Sequence, residues 1–359
     1  MSQGSEQCRA DVIGLAREHG FVHVRVAAVT QTPRFGAYTE WIDRGHHGEM
    51  AYLARNMEVR SDPRTRLEGA RSVLALGVPY PSEVPPDPGG LTGRVARYAW
   101  GRDYHNLVGK RLRKLKRDLR VHGIEAWGGV DTAPILERAW AEAAGLGVTG
   151  KSCVQFLPGQ SSYLFLAVLF LDRALTPDTP VGRDHCGSCT RCLVGCPTKA
   201  FSGPYALDAT KCIAYWTIEA REVAPKPLRS KFGRWLLGCD VCQEVCPHNH
   251  RTLSVLEQDL QPRNAWIDLP DLLRTPDEEL LERYRGTPLR RPRADGLKRN
   301  ACVVLGNIGD PTACDVIRTQ ALTHPAPMVR AAAVWALREM DLKPSLPNER
   351  DPSVLRELA

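Results

Sequence analysis

Cys186-Gly-Ser-Cys189-Thr-Arg-Cys192-Leu-Val-Gly-Cys196-Pro197 is the stretch from which the rest of the chain can be read. Its C-x2-C-x2-C-x3-C-P spacing is that of bacterial two-cluster ferredoxins. Three closely spaced cysteines let one tight loop take three corners of a 4Fe–4S cubane, and the proline sends the fourth thiol to a second cluster. A partner run, Cys239-Asp-Val-Cys242-Gln-Glu-Val-Cys246-Pro247, lies further along, with Cys212 alone between the two. The partner run is one thiol short, and Cys212 supplies it. Cross-ligation predicts Cys186, Cys189, Cys192 and Cys246 on one cluster. It places Cys196, Cys212, Cys239 and Cys242 on the other.

The chain has twelve cysteines, and two four-coordinate sites use eight. Cys8, Cys153, Cys302 and Cys314 are left over, isolated as buried small hydrophobes usually are. Zinc knuckles would pair C-x2-C units without a crossing Cys-Pro. His248 and His250 come after that Cys-Pro, but the ligand count is already full. Thiolate sites fit a reducing compartment. The composition, 43% hydrophobic and 25% charged over 359 residues, is that of a soluble protein, and a formal charge of +7 decides nothing alone. The first residues show neither an apolar run with a cleavage site nor a twin arginine. Tyr163 to Leu171 is the most apolar stretch, and it falls short of the about 20 residues a membrane helix needs. A cytoplasmic protein is expected, with no membrane association.

The length suggests two or three domains: an α/β domain over 1–175, a two-cluster ferredoxin-like domain over 176–255 and a helical domain over 256–359. In the first, helices are expected at Cys8–His19, Phe35–Arg44, Gly48–Arg55, Tyr104–Val121 and Pro134–Ala144. Strands are expected at Val22–Val29, Ser72–Val78, Glu125–Trp127 and Ser162–Leu171, which implies a covered sheet. The basic helix Tyr104–Val121 reads as a solvated face or as a phosphate-binding surface.

Gly145-Leu-Gly-Val-Thr-Gly150-Lys151-Ser152 satisfies a phosphate-loop pattern, but that loop needs a strand before it and a helix after it. Here a helix precedes, and Pro158-Gly159 interrupts the segment on the other side, so a nucleotide loop is rejected. Asp131 lies in the glycine turn Gly128-Gly-Val-Asp131-Thr-Ala-Pro134. It reads either as a helix cap or as a carboxylic acid at the mouth of a pocket, with burial raising its pKa so that it can deliver a proton.

In the last third, Leu297–Leu305, Thr312–Leu322 and Met328–Met340 read as helices. Pro327-Met-Val-Arg330-Ala-Ala-Ala-Val-Trp335 has a HEAT-type pattern. Two helix pairs are too few for a free solenoid, so they should dock on the rest of the protein. Just before them, Arg283 to Asn300 carries seven basic residues against one acid. Arg290, Arg291, Arg293, Lys298 and Arg299 are therefore expected to contact a nucleic-acid backbone.

Together these pieces resemble the epoxyqueuosine reductase family over nearly the whole chain. The resemblance is carried by Gly48-Glu-Met-Ala-Tyr-Leu53, Arg60-Ser-Asp-Pro-Arg64, Ala96-Arg-Tyr98-Ala-Trp-Gly-Arg-Asp-Tyr104-His105, Asp131-Thr-Ala-Pro-Ile-Leu-Glu-Arg138, Gly145-Leu-Gly-Val-Thr-Gly-Lys151, the cysteine runs and Leu297-Lys-Arg-Asn300. It implies a cobalamin, resting as cob(II)alamin, in the N-terminal domain, contacted by Arg60, Tyr98, Tyr104, His105, Asp131, Lys151, Ser152 and Gln155. It implies two 4Fe–4S clusters, reduced by a low-potential donor, that reduce the cobalt. It implies a two-electron deoxygenation of epoxyqueuosine to queuosine at the wobble position of tRNAs with GUN-type anticodons. Asp131 matches the family's proton donor, and a monomer is expected. The chain departs from the family at Ser152-Cys153-Val-Gln-Phe, where an Asn and an apolar run are usual, and at Leu166-Ala167-Val168, where Leu-Gly-Glu is usual. Two other readings compete: a corrinoid and Fe–S reductive dehalogenase, and a non-catalytic Fe–S electron carrier. Neither calls for the basic helical tail.

Overall fold

A computed structural model describes residues 3–80, 83–182, 185–249 and 257–359. His250 and the domain boundary expected at 255 lie outside the described residues.

Strands β1 (His23–Ala28), β2 (Ser72–Pro79), β3 (Thr92–Val95), β4 (Ala126–Gly129), β5 (Leu164–Leu171), β6 (Trp235–Leu237) and β7 (Trp266–Asp268) build two main sheets. The first has the order β1–β2–β5–β4 and is antiparallel throughout. β2 and β5 are central and covered on both faces, so they read as apolar runs rather than alternating ones. On one face, helices α1 (Gln3–Glu18) and α2 (Tyr104–Val121) close over Leu74, Leu76, Leu169 and Leu171. α2 turns Val108, Leu112, Leu115 and Leu119 inward at helical spacing. Its basic residues therefore lie outside, and several are engaged within the chain: Arg111 with Glu257, Lys116 with the Gly128 carbonyl, Arg120 with Glu125. On the other face, α3 (Glu137–Ala143) sets Trp140 edge-on against Phe170, with ring centroids 5.3 Å apart.

The second sheet crosses the expected boundary at 175. β3 pairs in parallel with β6 and antiparallel with β7. Val95, Ala99 and Trp100 share a core with Leu236, Ile267 and Leu297. Residues 1–175 are thus not closed on themselves; one strand is built into the C-terminal body.

Helix α4 (Ile213–Ile218) starts from Cys212 as its cap residue. Helices α5 (Arg293–Ile308), α6 (Cys314–Thr323) and α7 (Pro327–Glu339) form the HEAT-like layer. A Cβ at Gly306 would lie 2.9 Å from the Ala336 Cα, so glycine sets how closely α5 and α7 approach. α5 is buried along most of its length, which corrects one expectation. Lys298 and Arg299 are interior residues and cannot meet tRNA. Arg299 donates to the carbonyls of Trp216, Ala220 and Glu222, Asn300 to those of Thr217 and Leu236, and Lys298 pairs with Asp277 at 2.5 Å. The bonds to Trp216 and Thr217 answer carbonyls left open where α4 ends. The helix expected at Gly48–Arg55 shrinks to a 3-10 turn at Ala51–Ala54. Just before it, Gly48 takes φ +56, and a Cβ there would lie 2.6 Å from Tyr215 Oη.

Candidate active site

A cavity of about 1180 Å³ opens between the start of α2, the turn before α3 and the Pro288–Arg291 turn. That exceeds the roughly 300–1,000 Å³ of ordinary small-molecule pockets. Tyr38, Tyr52, Tyr98 and Tyr104 give it aromatic walls, and Arg60, His105 and Asp131 line it too.

Asp131 is placed by a turn that only glycine can make. A Cβ at Gly128 (φ +153) would lie 2.0 Å from the Val168 carbonyl oxygen, and one at Gly129 2.8 Å from the Ala133 Cβ. The chain then enters the left-handed region at Asp131 itself (φ 54), which aspartate tolerates better than most residues. α3 begins only at Glu137, with Leu136 as its cap residue. The helix thus starts three residues later than expected from Pro134, and Asp131 is not its cap. Its side chain, half exposed to the cavity, accepts at Oδ2 from Tyr104 Oη (2.8 Å) and pairs with His105 Nε2 (3.0 Å). Arg291 Nη1 stands 3.6 Å away and its Nε meets Glu219 at 3.0 Å. The other ring nitrogen of His105 lies 2.8 Å from Asp103, the N-cap of α2.

The electrostatics reverse one expectation. Burial works to raise the Asp131 carboxyl, but His105, Tyr104 and the charge of Arg291 outweigh it and draw it down to about 2. Asp131 is therefore ionised, not kept protonated by a dry pocket. Burial works to lower His105, yet Asp103 and Asp131 hold it up at about 9. Burial, then Asp131, pushes the Tyr104 hydroxyl far above its ordinary value.

The eight expected cysteine ligands come together in two groups. Cys186, Cys189, Cys192 and Cys246 line one small cavity of about 40 Å³. In the other group, Cys239 feels the charge of Cys212 and Cys196, and Cys242 that of Cys239 and Cys212. Burial first, then those neighbours, pushes both thiols up, a cost relieved when a metal takes them as thiolates. Gly238 (φ +68), just before Cys239, has no room for a Cβ, because Ala96 Cβ would be 2.6 Å away and Tyr98 Cε1 3.3 Å. The Tyr98 ring thus rests on the second cysteine loop while lining the large cavity.

Of the expected cofactor contacts, Arg60, Tyr98, Tyr104, His105 and Asp131 line the large cavity, and three others do not. Lys151 Nζ donates to the carbonyls of Gly187 (2.5 Å) and Cys189 (3.0 Å), and with Ser152 it closes the small cysteine cavity. Gln155 is buried, donating to the Leu146 carbonyl and accepting from Thr149. From the altered segment it is Cys153 that lines the large cavity. Arg290, Arg291 and Arg293 are all exposed, and Arg290 and Arg291 also line the cavity. Glu219, Tyr52 and Glu137 were not singled out from the sequence. A glutamate in a helix's first turn looks like an ordinary match to the dipole, so Glu137 carried no signal.

The chain matches a family model described as epoxyqueuosine reductase QueG over residues 60–132, a 4Fe-4S double cluster binding domain over 185–249 and HEAT repeats over 289–359. It is 41% identical to an epoxyqueuosine reductase of Synechococcus sp., covering 80% of this chain and 91% of that protein. It is 38% identical to that of Pseudomonas aeruginosa, covering 90% and 91%. A crystal structure of epoxyqueuosine reductase with an epoxyqueuosine-modified tRNA-Tyr stem loop superposes with a TM-score of 0.90 at 29% identity, covering 98% of this chain and 97% of that one.

Glu137 gives the site a pH signature. Its Oε1 is buried without a partner among the described residues. Burial, then Asp131, raises the carboxyl from 4.5 to about 7. Between those values the folded protein holds a proton that the unfolded chain has released, so Glu137 makes stability fall as pH rises through that window. Glu137→Gln should flatten the fall. Thermal unfolding of the cofactor-free protein at pH 5 and pH 8 checks this; equal losses in both proteins would mean that the carboxyl ionises normally.

Proposed function

Because the chain belongs to the epoxyqueuosine reductase family, we propose that its large cavity takes a cobalamin and the epoxide-bearing wobble base of a tRNA, with Asp131 at the oxygen that leaves. The chain is an oxidoreductase, and the reaction is fixed by its stoichiometry. Deoxygenation takes up two electrons and two protons, and the epoxide oxygen departs as water. The observation that carries the reading is the Asp131 carboxylate. It is held by Tyr104, His105 and Arg291 at the wall of an aromatic cavity whose Tyr98 touches the second cysteine loop.

The residues fit the absent groups. Bound here, a corrinoid supplies low-valent cobalt able to attack or reduce an epoxide carbon. Tyr98 offers an aromatic wall to a macrocycle, Arg60 lines the same cavity, and the unpartnered Oε1 of Glu137 suits an amide of the corrin rim. Both His105 nitrogens are engaged by carboxylates, so His105 is not free to ligate cobalt. Cys186, Cys189, Cys192 and Cys246 hold one 4Fe–4S cluster, and Cys196, Cys212, Cys239 and Cys242 the other. When bound, such clusters would supply electrons from a low-potential donor. A base in an anticodon loop is already single-stranded, so turning it into the cavity costs little. Arg291 meets the incoming nucleotide beside Asp131, and Arg290 and Arg293 hold phosphates outside. The relative solved with an epoxyqueuosine-modified tRNA stem loop supports tRNA as the partner.

Three measurements test this reading. Asp131→Asn should keep iron, cobalamin and tRNA binding while turnover on epoxyqueuosine-tRNA drops on the order of 100-fold or more; undiminished turnover removes Asp131 from the chemistry. Anaerobically prepared protein should carry two clusters of four irons, and Cys212→Ser should lose the iron of one. Unchanged iron would exclude Cys212 as a ligand. Arg290→Gln with Arg293→Gln should lower the slope of log affinity against log salt by about 1 to 2. An unaltered slope would move the phosphate contact elsewhere.

A further inference from the structure

Asp131 faces the reacting oxygen, but its geometry makes it a poor source of the proton it must deliver. Oδ2 is shared by Tyr104 Oη at 2.8 Å and His105 Nε2 at 3.0 Å, and the charge of Arg291 Nη1 stands 3.6 Å away. Each stabilises the carboxylate. A guanidinium does not release its proton in the working range, and burial beside a carboxylate locks the Tyr104 hydroxyl in its neutral form. His105 differs from both. It sits in the first turn of α2 with a carboxylate on each ring nitrogen, Asp103 Oδ1 at 2.8 Å and Asp131 Oδ2 at 3.0 Å. A neutral imidazole has one N–H and could satisfy only one of them; an imidazolium satisfies both.

We propose that His105 is the proton store of the site: its imidazolium passes a proton through Asp131 Oδ2 to the oxygen released from the substrate, while Asp103 holds the ring in place. This rests on the reading of the site given above. In the transfer, the Nε2–H bond of His105 breaks as an O–H bond forms on Asp131 Oδ2. That bond breaks in turn as the substrate oxygen takes the proton. His105 ends neutral, Asp131 ends as it began, and no electron moves. A proton from the bulk solvent then restores the His105 imidazolium, which supplies the second proton of the reaction by the same route.

The groups facing His105 all bear on this role. Asp103 comes from the cap of its own helix, Asp131 from the glycine turn and Arg291 from the turn before α5. Tyr104 packs its ring 4.1 Å from the imidazole, and Tyr98 lies edge-on beyond Tyr104. Glu219 draws on Arg291 from the end of α4. Burial opposes the imidazolium, and so does the nearby Arg291, whose charge Glu219 offsets. The two carboxylates in direct contact hold the ring charged up to about pH 9.

The experiment is single-turnover deoxygenation of epoxyqueuosine-tRNA by the pre-reduced, fully loaded enzyme across pH 6 to 10. The wild-type rate should decline above about pH 9. His105→Gln, which can still hydrogen-bond but stores no proton, should react on the order of 100-fold slower and lose that decline. Asp103→Asn should shift the decline to lower pH by about one unit. A residue that merely props up Asp131 would lower the rate without removing the inflection. Should His105→Gln fail to load, NMR titration of the labelled His105 ring in the wild type and in Asp103→Asn decides the same point. A ring that is neutral at pH 7, or a His105→Gln enzyme that keeps the wild-type inflection, overturns the proposal. In either case the collapse of Asp131→Asn would leave the earlier reading standing. No turnover by the wild type would instead sink that reading.

Discussion

The buried pair of Arg97 and Asp240 ties the cavity to the cysteines that serve it. Asp240 lies between Cys239 and Cys242. Its Oδ2 accepts from the Arg97 backbone N–H at 2.8 Å and from Nη1 at 3.1 Å, and both side chains are almost wholly buried. Arg97 Nη1 also reaches Glu244 at 2.6 Å, on the short helix that comes next. Such a pair is weak evidence for stability, since desolvation offsets much of its attraction, but leaving one charge without the other is strongly unfavourable. Its effect here is positional. The next residue is Tyr98, whose ring fills the space above Gly238 and lines the cavity. One ion pair thus holds the second cysteine loop against the aromatic wall of the cavity.

The second sheet makes that clamp possible. β3 lies between β6, which leads into Cys239, and β7, which leads into the helical layer. Arg94 on β3 lies over the ring of Trp235, with its guanidinium carbon 4.3 Å from the centroid. Arg299 and Asn300 then reach across from α5 to fix the helix that starts at Cys212. The buried polar residues of the HEAT-like layer thus hold part of the thiol set in position.

The legible parts of the chain were those written in local pattern. Apolar periodicity showed β2, β5, α2 and the three C-terminal helices, since burial on one or both faces leaves a direct trace. The cysteine spacing showed which thiols belong together. The parts that were missed depend on residues far apart in sequence. β3, β6 and β7 are too short to carry a pattern and exist only because they pair with one another. Lys298 and Arg299 looked like surface charge because composition cannot tell a solvated arginine from one that answers buried carbonyls. Lys151 and Gln155 belong to a recognisable segment, but a tight hairpin turns them toward the cysteine loop and the core, leaving Cys153 to face the cavity.

The reversal at Asp131 shows why a titration state cannot be read from one glycine turn. The turn fixes where the carboxylate sits, and a buried carboxylate alone would be raised. Whether it is raised or lowered depends on its surroundings: His105 and Tyr104 from the start of α2, and Arg291 from a loop far along the chain. With Asp103 and Glu219 counted, three carboxylates face one imidazolium and one guanidinium, so an anionic site is kept close to balance by two cations. A carboxylate so surrounded can take up a proton only in passing. The ring beside it, with a carboxylate at each nitrogen, is where the proton rests.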